Sequence, residues 1–358
     1  MFPFHNISVE IFGASHADEI GVRIKNLPRD TAVDAAEVQK FVDERKAGIS
    51  PWSTPRNEPD EILFLSGLKN GKTNGEDLVA VIKNTCKRSS DYDDLRFTPR
   101  PSHADYVAMI KDGENADLAG GGRFSGRMTA PLCIAGGIAL QLLAAKGIRL
   151  GAYVSEIGGI KGKSYDDGEI SFYETEKSKK TGDFALSKTA EMTEKVLDAR
   201  KNGDSVGGSV ECIAYNVPAG LGDALFDGTE GKIAASVFAI PAVKCVDFGL
   251  GKGFASACGS KANDPFGIKD GKIVTLTNNN GGINGGITNG MPVTVRVTFK
   301  PTPSISLPQK TVDIRTKEER EISIKGRHDA CVVPRAVPAV KAAVALSLLD
   351  SLLEQNNF

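Results

Sequence analysis

The sequence has no excess of charge: 44 Lys and Arg face 45 Asp and Glu, a formal net charge of −1 over 358 residues. That balance excludes a global electrostatic footprint for DNA, RNA or an anionic membrane. Gly and Lys interrupt every apolar stretch, so none reads as a bilayer span. Met1 to Gly13 lacks a cationic start followed by an apolar run, and no signal or transit peptide is expected there. The six cysteines (Cys86, Cys133, Cys212, Cys245, Cys258 and Cys331) show no paired metal spacing. Reduced cytoplasmic thiols are expected, not a disulfide framework or a zinc site. No Pro- or Ser-rich linker divides the chain. The Walker ending and the GxGxxG dinucleotide fingerprint are both missing. Aromatic residues make up only 6%, and tryptophan occurs once, at Trp52.

Glycine, by contrast, is abundant at 39 residues and gathers in short clusters, a sign of tight turns or of backbone brought close to a ligand. Ile7–Phe12 alternates as a strand, and Gly21–Leu27 repeats the pattern after a loop, so the two predict a hairpin. Asp34 with Glu37 reads as a capping box opening a helix to about Lys46, with Val38, Phe41 and Val42 on its buried face. Gly207–Tyr215 reads as a strand, followed by Val217-Pro218, a glycine turn and a helix from about Glu230 to Ala239. This order of strand, X-Pro, turn and helix matches Gly21 to Lys46 and predicts a structural pseudo-repeat. Further helices are expected at His103–Lys111, Thr129–Lys146, Lys188–Lys201 and Pro338–Glu354. Further strands are expected at Arg149–Ser155, Ile273–Thr277 and Val293–Phe299. Gly162–Gly182 is polar and weakly patterned and reads as an exposed excursion. The expectation is one α+β domain over residues 1–358.

Histidine is scarce, at His5, His16, His103 and His328, and three of the four stand in unusual settings. His16 closes Gly13-Ala14-Ser15-His16, on a loop directly after the first strand. His103 follows Arg100-Pro101-Ser102 at the start of a helix, where N–H groups and the dipole favour anions. His328 lies in Gly326-Arg327-His328-Asp329, before another helix. Each is a candidate acid or base, and each taken singly is more often structural than catalytic. The strongest glycine signal is Gly120-Gly121-Gly122-Arg123-Phe124-Ser125-Gly126-Arg127, running into a helix near Thr129. Such a loop suits a phosphate, with Ser125 and two arginines as donors; the competing reading is a tight turn with surface arginines. A second cluster, Asn278–Gly290, leads through a strand to Lys300-Pro301-Thr302-Pro303-Ser304. Cations such as Arg45, Lys46, Arg56, Arg96, Arg100, Arg123, Arg127, Lys300 and Arg327 recur beside these segments. Local cation clusters on a neutral chain fit a small polyanion.

These segments, in this order, resemble chorismate synthases across nearly the whole chain. The resemblance rests on Gly13–His16, Pro101–Asp105, Gly120–Arg127, Gly259–Asp264, Gly281–Ser304, Gly326–Asp329 and Cys331. It implies a β-α-β sandwich and a homotetramer. It also implies 1,4-anti elimination of phosphate from 5-enolpyruvylshikimate 3-phosphate, a carbon–oxygen lyase reaction that needs reduced FMN (FMNH2) without net redox change. By the same resemblance, His16 donates a proton near the leaving phosphate, His103 acts at the flavin N1 and O2 edge, and Asp329 relays a proton from flavin N5. Ser15 and Ser125 support them by hydrogen bonding. Arg45, Arg56, Arg127 and Arg327 are implied to hold substrate. Arg123, Phe124, Ser125, Pro241, Ala242, Gly285, Lys300, Pro301, Thr302, Pro303, Ser304 and Arg327 are implied to hold FMN.

The chain departs from the family's usual pattern in four places. Ala14 and Ala17 stand in the Gly-Glu-Ser-His-Gly opening, Pro51 where many relatives have an arginine, and Phe124 where a small residue is common. Two rivals accompany this reading. One is an NAD(P)H-dependent flavin reductase, an activity some members combine with the synthase, although no dinucleotide fingerprint is present. The other is a non-enzymatic phosphate- or flavin-binding module.

Overall fold

The structure, a computed structural model, describes residues 4–46, 59–85, 97–324 and 329–355. The first strands form the expected hairpin, β1 (Ser8–Gly13) antiparallel to β2 (Glu19–Lys25), with Gly13 opposite Ile20. Helix α1 (Ala35–Asp43) follows, then β3 (Ile62–Ser66) and β4 (Leu78–Lys83). The four strands make one antiparallel sheet in the order β1-β2-β4-β3. After α2 (Asp105–Asp112) and α3 (Thr129–Ala145) come β5 (Arg149–Ile157), α4 (Phe172–Thr181), α5 (Thr189–Lys201) and β6 (Gly208–Tyr215). Then follow α6 (Thr229–Phe238), β7 (Val243–Phe248), β8 (Val293–Phe299) and α7 (Val333–Glu354). The second sheet runs β5-β6-β8-β7, again antiparallel, with the two-residue strand Ile160–Lys161 added at the β5 edge.

The two sheets have the same strand order, and each unit closes with a long apolar helix. Apart from α2 in the first half and α4 and α5 in the second, both halves run strand, strand, helix, strand, strand, helix. The repeat extends to the turn after the second strand: Asn26 and Asn216 both hold φ near 60° (61° and 58°) ahead of Leu27-Pro28 and Val217-Pro218. Asparagine tolerates that left-handed conformation, and proline fixes the next turn.

Helices α1, α3, α7 and α6 form the layer between the sheets. Helix α3 lies against β1, β2 and β4, α7 against β5 and β6, and the two helices pack on each other. A Cβ on Gly136 would stand 2.1 Å from Ala342 Cβ, so glycine is what allows α3 and α7 to approach this closely. One hydrophobic cluster runs through both halves, from Val9 and Val22 through Ile134 and Leu142 to Val297 and Leu348. This agrees with the expected α+β sandwich.

Several details differ from expectation. Both α3, with the turn before it, and α7 are long and apolar enough by composition to cross a membrane, yet most of each is buried between the sheets. Helix α7 begins at Val333 and not Pro338. Pro334 occupies its first turn, where its missing N–H would have had no partner in the helix, whereas Pro338 lies inside the helix and leaves the Pro334 carbonyl without its usual bond. Asp34 caps α1 by accepting from Ala36 N and Glu37 N, but the reciprocal half of the box is missing: Asp34 N donates to Gln141 Oε1 at 2.8 Å. The helix stops at Asp43, short of Lys46. The polar segment 162–182 is no bare excursion. Helix α4 lies on β5, with Ser171 and Glu174 forming a capping box and Thr175 buried against Gly151.

Candidate active site

His16 stands on the β1–β2 loop, whose backbone is tied to the triple-glycine segment by Ser15 N donating to Gly122 O at 3.2 Å. Gly120, Gly121 and Gly122 hold φ of 58°, 85° and 50°. A side chain there would be strained, and space forbids one at two of the three positions. A Cβ on Gly120 would lie 2.0 Å from His16 Cε1 and 2.2 Å from its Nδ1. A Cβ on Gly121 would face His103 Nε2 at 3.4 Å, and one on Gly122 would strike Asp117 O at 2.2 Å. The glycine run therefore passes between the two histidines with its backbone against both. Beside it lies a cavity of about 490 Å³ lined by Gly13, Ala14, Asp112, Asp117, Arg123 and Phe124.

His103 sits in the turn before α2, not in the helix, which starts two residues later at Asp105. The negative group at that N-terminus is internal: the Asp105 carboxylate, 1% exposed. Asp105 accepts from His103 Nδ1 at 2.6 Å and from Arg100 Nε at 2.7 Å and Nη2 at 2.8 Å. Arg100 Nη2 also lies 3.1 Å from His103 Nδ1, but the shorter carboxylate contact assigns that nitrogen's proton. Nε2 is thus the nitrogen presented to Gly121. Burial alone would raise the Asp105 carboxyl, yet the Arg100 and His103 hydrogen bonds outweigh it and hold the group far below the usual carboxylate range.

Arg100 Nη1 also donates to Ser304 Oγ at 3.3 Å, and Lys300 Nζ donates to Ser102 O, so the Lys300–Ser304 elbow folds onto the His103 turn. Burial, together with nearby Lys244, lowers the Lys300 ammonium from its ordinary value. Lys300 N donates to Ala242 O at 3.0 Å, which brings the Pro241-Ala242 turn to the same elbow. Thr302 and Pro303 anchor it from the other side, through Ser205 Oγ on Thr302 O at 2.7 Å and Gln309 Nε2 on Pro303 O at 3.3 Å.

The expected arginines divide. Arg123 donates to Asp112 Oδ2 at 2.6 Å, and its guanidinium lies 5.1 Å from the centre of the half-exposed Phe124 ring, so it sits at the cavity rim. Arg127 is buried, so the surface-arginine reading of this loop holds for Arg123 and fails for Arg127. It donates to Asp60 Oδ1 through Nη1 and to Asn84 Oδ1 through Nε at 3.1 Å. Arg45, 3% exposed, donates to the other Asp60 oxygen at 2.8 Å. Burial pushes the Arg45 guanidinium down to about 10 against the pull of Asp60, with Arg335 and Arg127 adding repulsion. Asp329 accepts from Arg335 Nη1, and Arg335 Nε donates to Arg45 O at 3.0 Å, so Asp329 joins the same network. Ser125 turns its hydroxyl to Arg127 N at 3.3 Å and caps the turn before α3. Gly285 lies in a separate turn between Ile283–Asn284 and Ile287–Thr288, apart from these networks. Arg56, Arg327, His328, Pro51 and Trp52 lie outside the described residues.

Asp60, Asn84 and Arg335 were not singled out in the sequence. Asp60 and Asn84 carry no motif signal, because only folding makes either of them a neighbour of Arg127. Arg335, in the first turn of α7, could have been suspected from its place just after Gly326–Asp329.

A family model described as chorismate synthase matches residues 7–353. The chain is 45% identical to a Thermococcus kodakarensis protein named chorismate synthase, over 98% of this chain and 96% of that one. It is also 45% identical to one from Dehalococcoides mccartyi, over 96% and 93% of the two chains. A crystal structure titled chorismate synthase superimposes with a TM-score of 0.76 at 25% identity, covering 98% of this chain and 93% of that chain. Ordered motifs, sandwich topology and near-complete coverage agree: this chain belongs to the chorismate synthase family.

Proposed function

We propose that the chain, as a single catalytic domain over residues 1–358, eliminates phosphate from 5-enolpyruvylshikimate 3-phosphate to give chorismate, with reduced FMN bound and no net redox change. The observation that carries the reading is the glycine run of residues 120–122 lying between His16 and His103, with no room for a side chain at Gly120. The residues fit a flavin phosphate and ring: backbone close to both histidines, a cavity walled by Phe124, and the Lys300–Ser304 elbow tied to the His103 turn. Arg123, Phe124, Ser125, Pro241, Ala242, Gly285, Lys300 to Ser304 and Arg327 would hold it. When bound, reduced flavin would lend electron density transiently to the substrate as its C–O bond to phosphate breaks and would receive the hydrogen at its N5 position.

The chain's own residues do the rest. His16 delivers a proton to the departing phosphate oxygen, which would otherwise leave as a poorer leaving group. Arg45, Arg56, Arg127 and Arg327 orient and neutralise the substrate anions. His103, with Nδ1 fixed by Asp105, presents Nε2 as donor or acceptor toward the ring edge. The Asp329 carboxylate, oriented by Arg335, would relay a proton from the flavin N5 position. A cytoplasmic homotetramer that engages neither nucleic acid nor membrane completes the proposal. The test is anaerobic. Protein, pre-reduced FMN and enolpyruvylshikimate phosphate should yield chorismate and equimolar phosphate, with His16→Ala and His103→Ala each slower by roughly 10²–10⁴-fold. No chorismate from the wild type would defeat the reading.

A further inference from the structure

We infer that Asp60 is a positioning residue: its buried carboxylate fixes Arg45 and Arg127 for the substrate and, through Arg127 and Asn84, holds the His16 loop. The inference rests on the proposed reaction.

Asp60 is 2% exposed, and its two oxygens are divided between two guanidiniums, Oδ2 taking Arg45 and Oδ1 taking Arg127. Two like charges are thus held side by side in a buried setting, which a single intervening carboxylate makes tolerable. The network then continues to the acid. Arg127 Nε donates to Asn84 Oδ1 at 3.1 Å, and Asn84 Nδ2 donates to Ala17 O at 2.9 Å and Ala14 O at 3.3 Å. Those carbonyls bracket Ser15 and His16. Asn84 N also donates to Asp18 O at 2.9 Å, so the end of β4 grips the loop at three points.

The placement of Asp60 is enforced from outside. Its φ is 47°, in the left-handed region that side chains rarely adopt. Gln39 on α1 secures the backbone at and just after Asp60, with Nε2 donating to Asp60 O at 3.0 Å and Oε1 accepting from Ile62 N at 2.9 Å. A strained residue that is buried, clamped and shared by two arginines is held there by its surroundings, as at other functional sites.

Asp60→Asn keeps the shape but removes the negative charge from both guanidiniums and turns an amide NH2 toward one of them. For this variant, kcat/KM should fall about 100-fold, the penalty for slight misplacement of reacting groups. Inorganic phosphate should bind the flavin-free protein roughly tenfold more weakly by calorimetry, and Asp60→Glu should recover part of both losses. Asn84→Ala, which removes the grip on the loop and the acceptor of Arg127 Nε but leaves both guanidiniums on Asp60, should lower kcat about tenfold with a smaller change in KM and phosphate affinity than Asp60→Asn. A purely structural role would lower the active fraction and leave phosphate affinity and the KM-against-kcat split of the folded protein unchanged. Folded Asp60→Asn with wild-type turnover and phosphate affinity overturns the inference. Should Asp60→Asn not fold, wild-type kcat in Asn84→Ala overturns it equally. If the wild type makes no chorismate, the proposed reaction fails instead, and phosphate affinity still judges Asp60.

Discussion

The two halves of the chain share a scaffold and differ in what their loops carry. In the first half the connection between β1 and β2 is the short loop 14–18, which holds Ser15 and His16. In the second half the equivalent connection, 158–207, is long and carries α4 and α5. The short loop can be fixed by a few backbone contacts, as Ser15 N and Asn84 show. The long one could not aim a catalytic side chain so cheaply, since every added residue must itself be ordered. The equivalent helices α3 and α7, in contrast, both bring site residues at their starts: Ser125 and Arg127 before one, Asp329 and Arg335 around the other. Chemistry has been kept where two paired helices begin and dropped where a loop was free to lengthen.

The sharpest way to break this comparison is at Gly120, whose backbone lies against the His16 ring. Gly120→Ala places a methyl within the His16 ring at a φ of 58° and should lower turnover at least about 100-fold by displacing that ring. Retained activity with pre-reduced flavin would show that the loop tolerates movement, and that the short connection is not what aims His16.

Next in size is Asp105. Its carboxyl is held below the ordinary value near pH ~3.9, so its contribution is complete above that pH and is lost as pH falls through the folded value. Asp105→Asn should therefore cost roughly 3 kcal/mol of unfolding free energy at neutral pH, as for one partner of a buried ion pair. The gap between wild type and variant should narrow below about pH 4. Urea titrations at neutral pH and at pH ~3.5 check it; a gap independent of pH would mean that the carboxylate's charge is not what matters.

A smaller effect tests the junction between the halves. Gly136→Ala should destabilise by about 1–3 kcal/mol, because Ala342 on the partner helix leaves no room for a methyl. Activity per folded molecule should be nearly unchanged, which separates a shared core from a shared site.

Much of this architecture could be read from residues alone. The alternation of Ile7–Phe12, the X-Pro turns and the helices expected at Thr129–Lys146 and Pro338–Glu354 are local signals, and each matched an element. The site was legible as motifs, because glycines and histidines stand out where backbone must approach a ligand. The struts were not. Asp60 becomes meaningful only when Arg45 and Arg127 arrive from distant segments, and no local pattern encodes a carboxylate shared between them. Segment 162–182 misled for a related reason. The buried face of α4 is little more than Thr175, too narrow for hydrophobic periodicity to reveal, whereas its Ser171–Glu174 capping box was there to be read.

The smallest effect bears on how far the repeat reaches. Helices α1 and α6 are equivalent, yet α1 is capped by the Asp34 side chain on Ala36 N and Glu37 N, while α6 begins at Gly228 with no side-chain cap. Asp34→Ala should cost about 1 kcal/mol, and Asp34→Gly only a few tenths, since glycine leaves the first N–H groups open to water. Thermal melts of the two variants at neutral pH measure the difference. If neither variant loses measurable stability, the second Asp34 bond, its backbone N–H to Gln141 on α3, is what holds the end of α1 in place. Then the two helix starts would be equivalent in capping after all, and the first half would differ only in being tied across to its central helix.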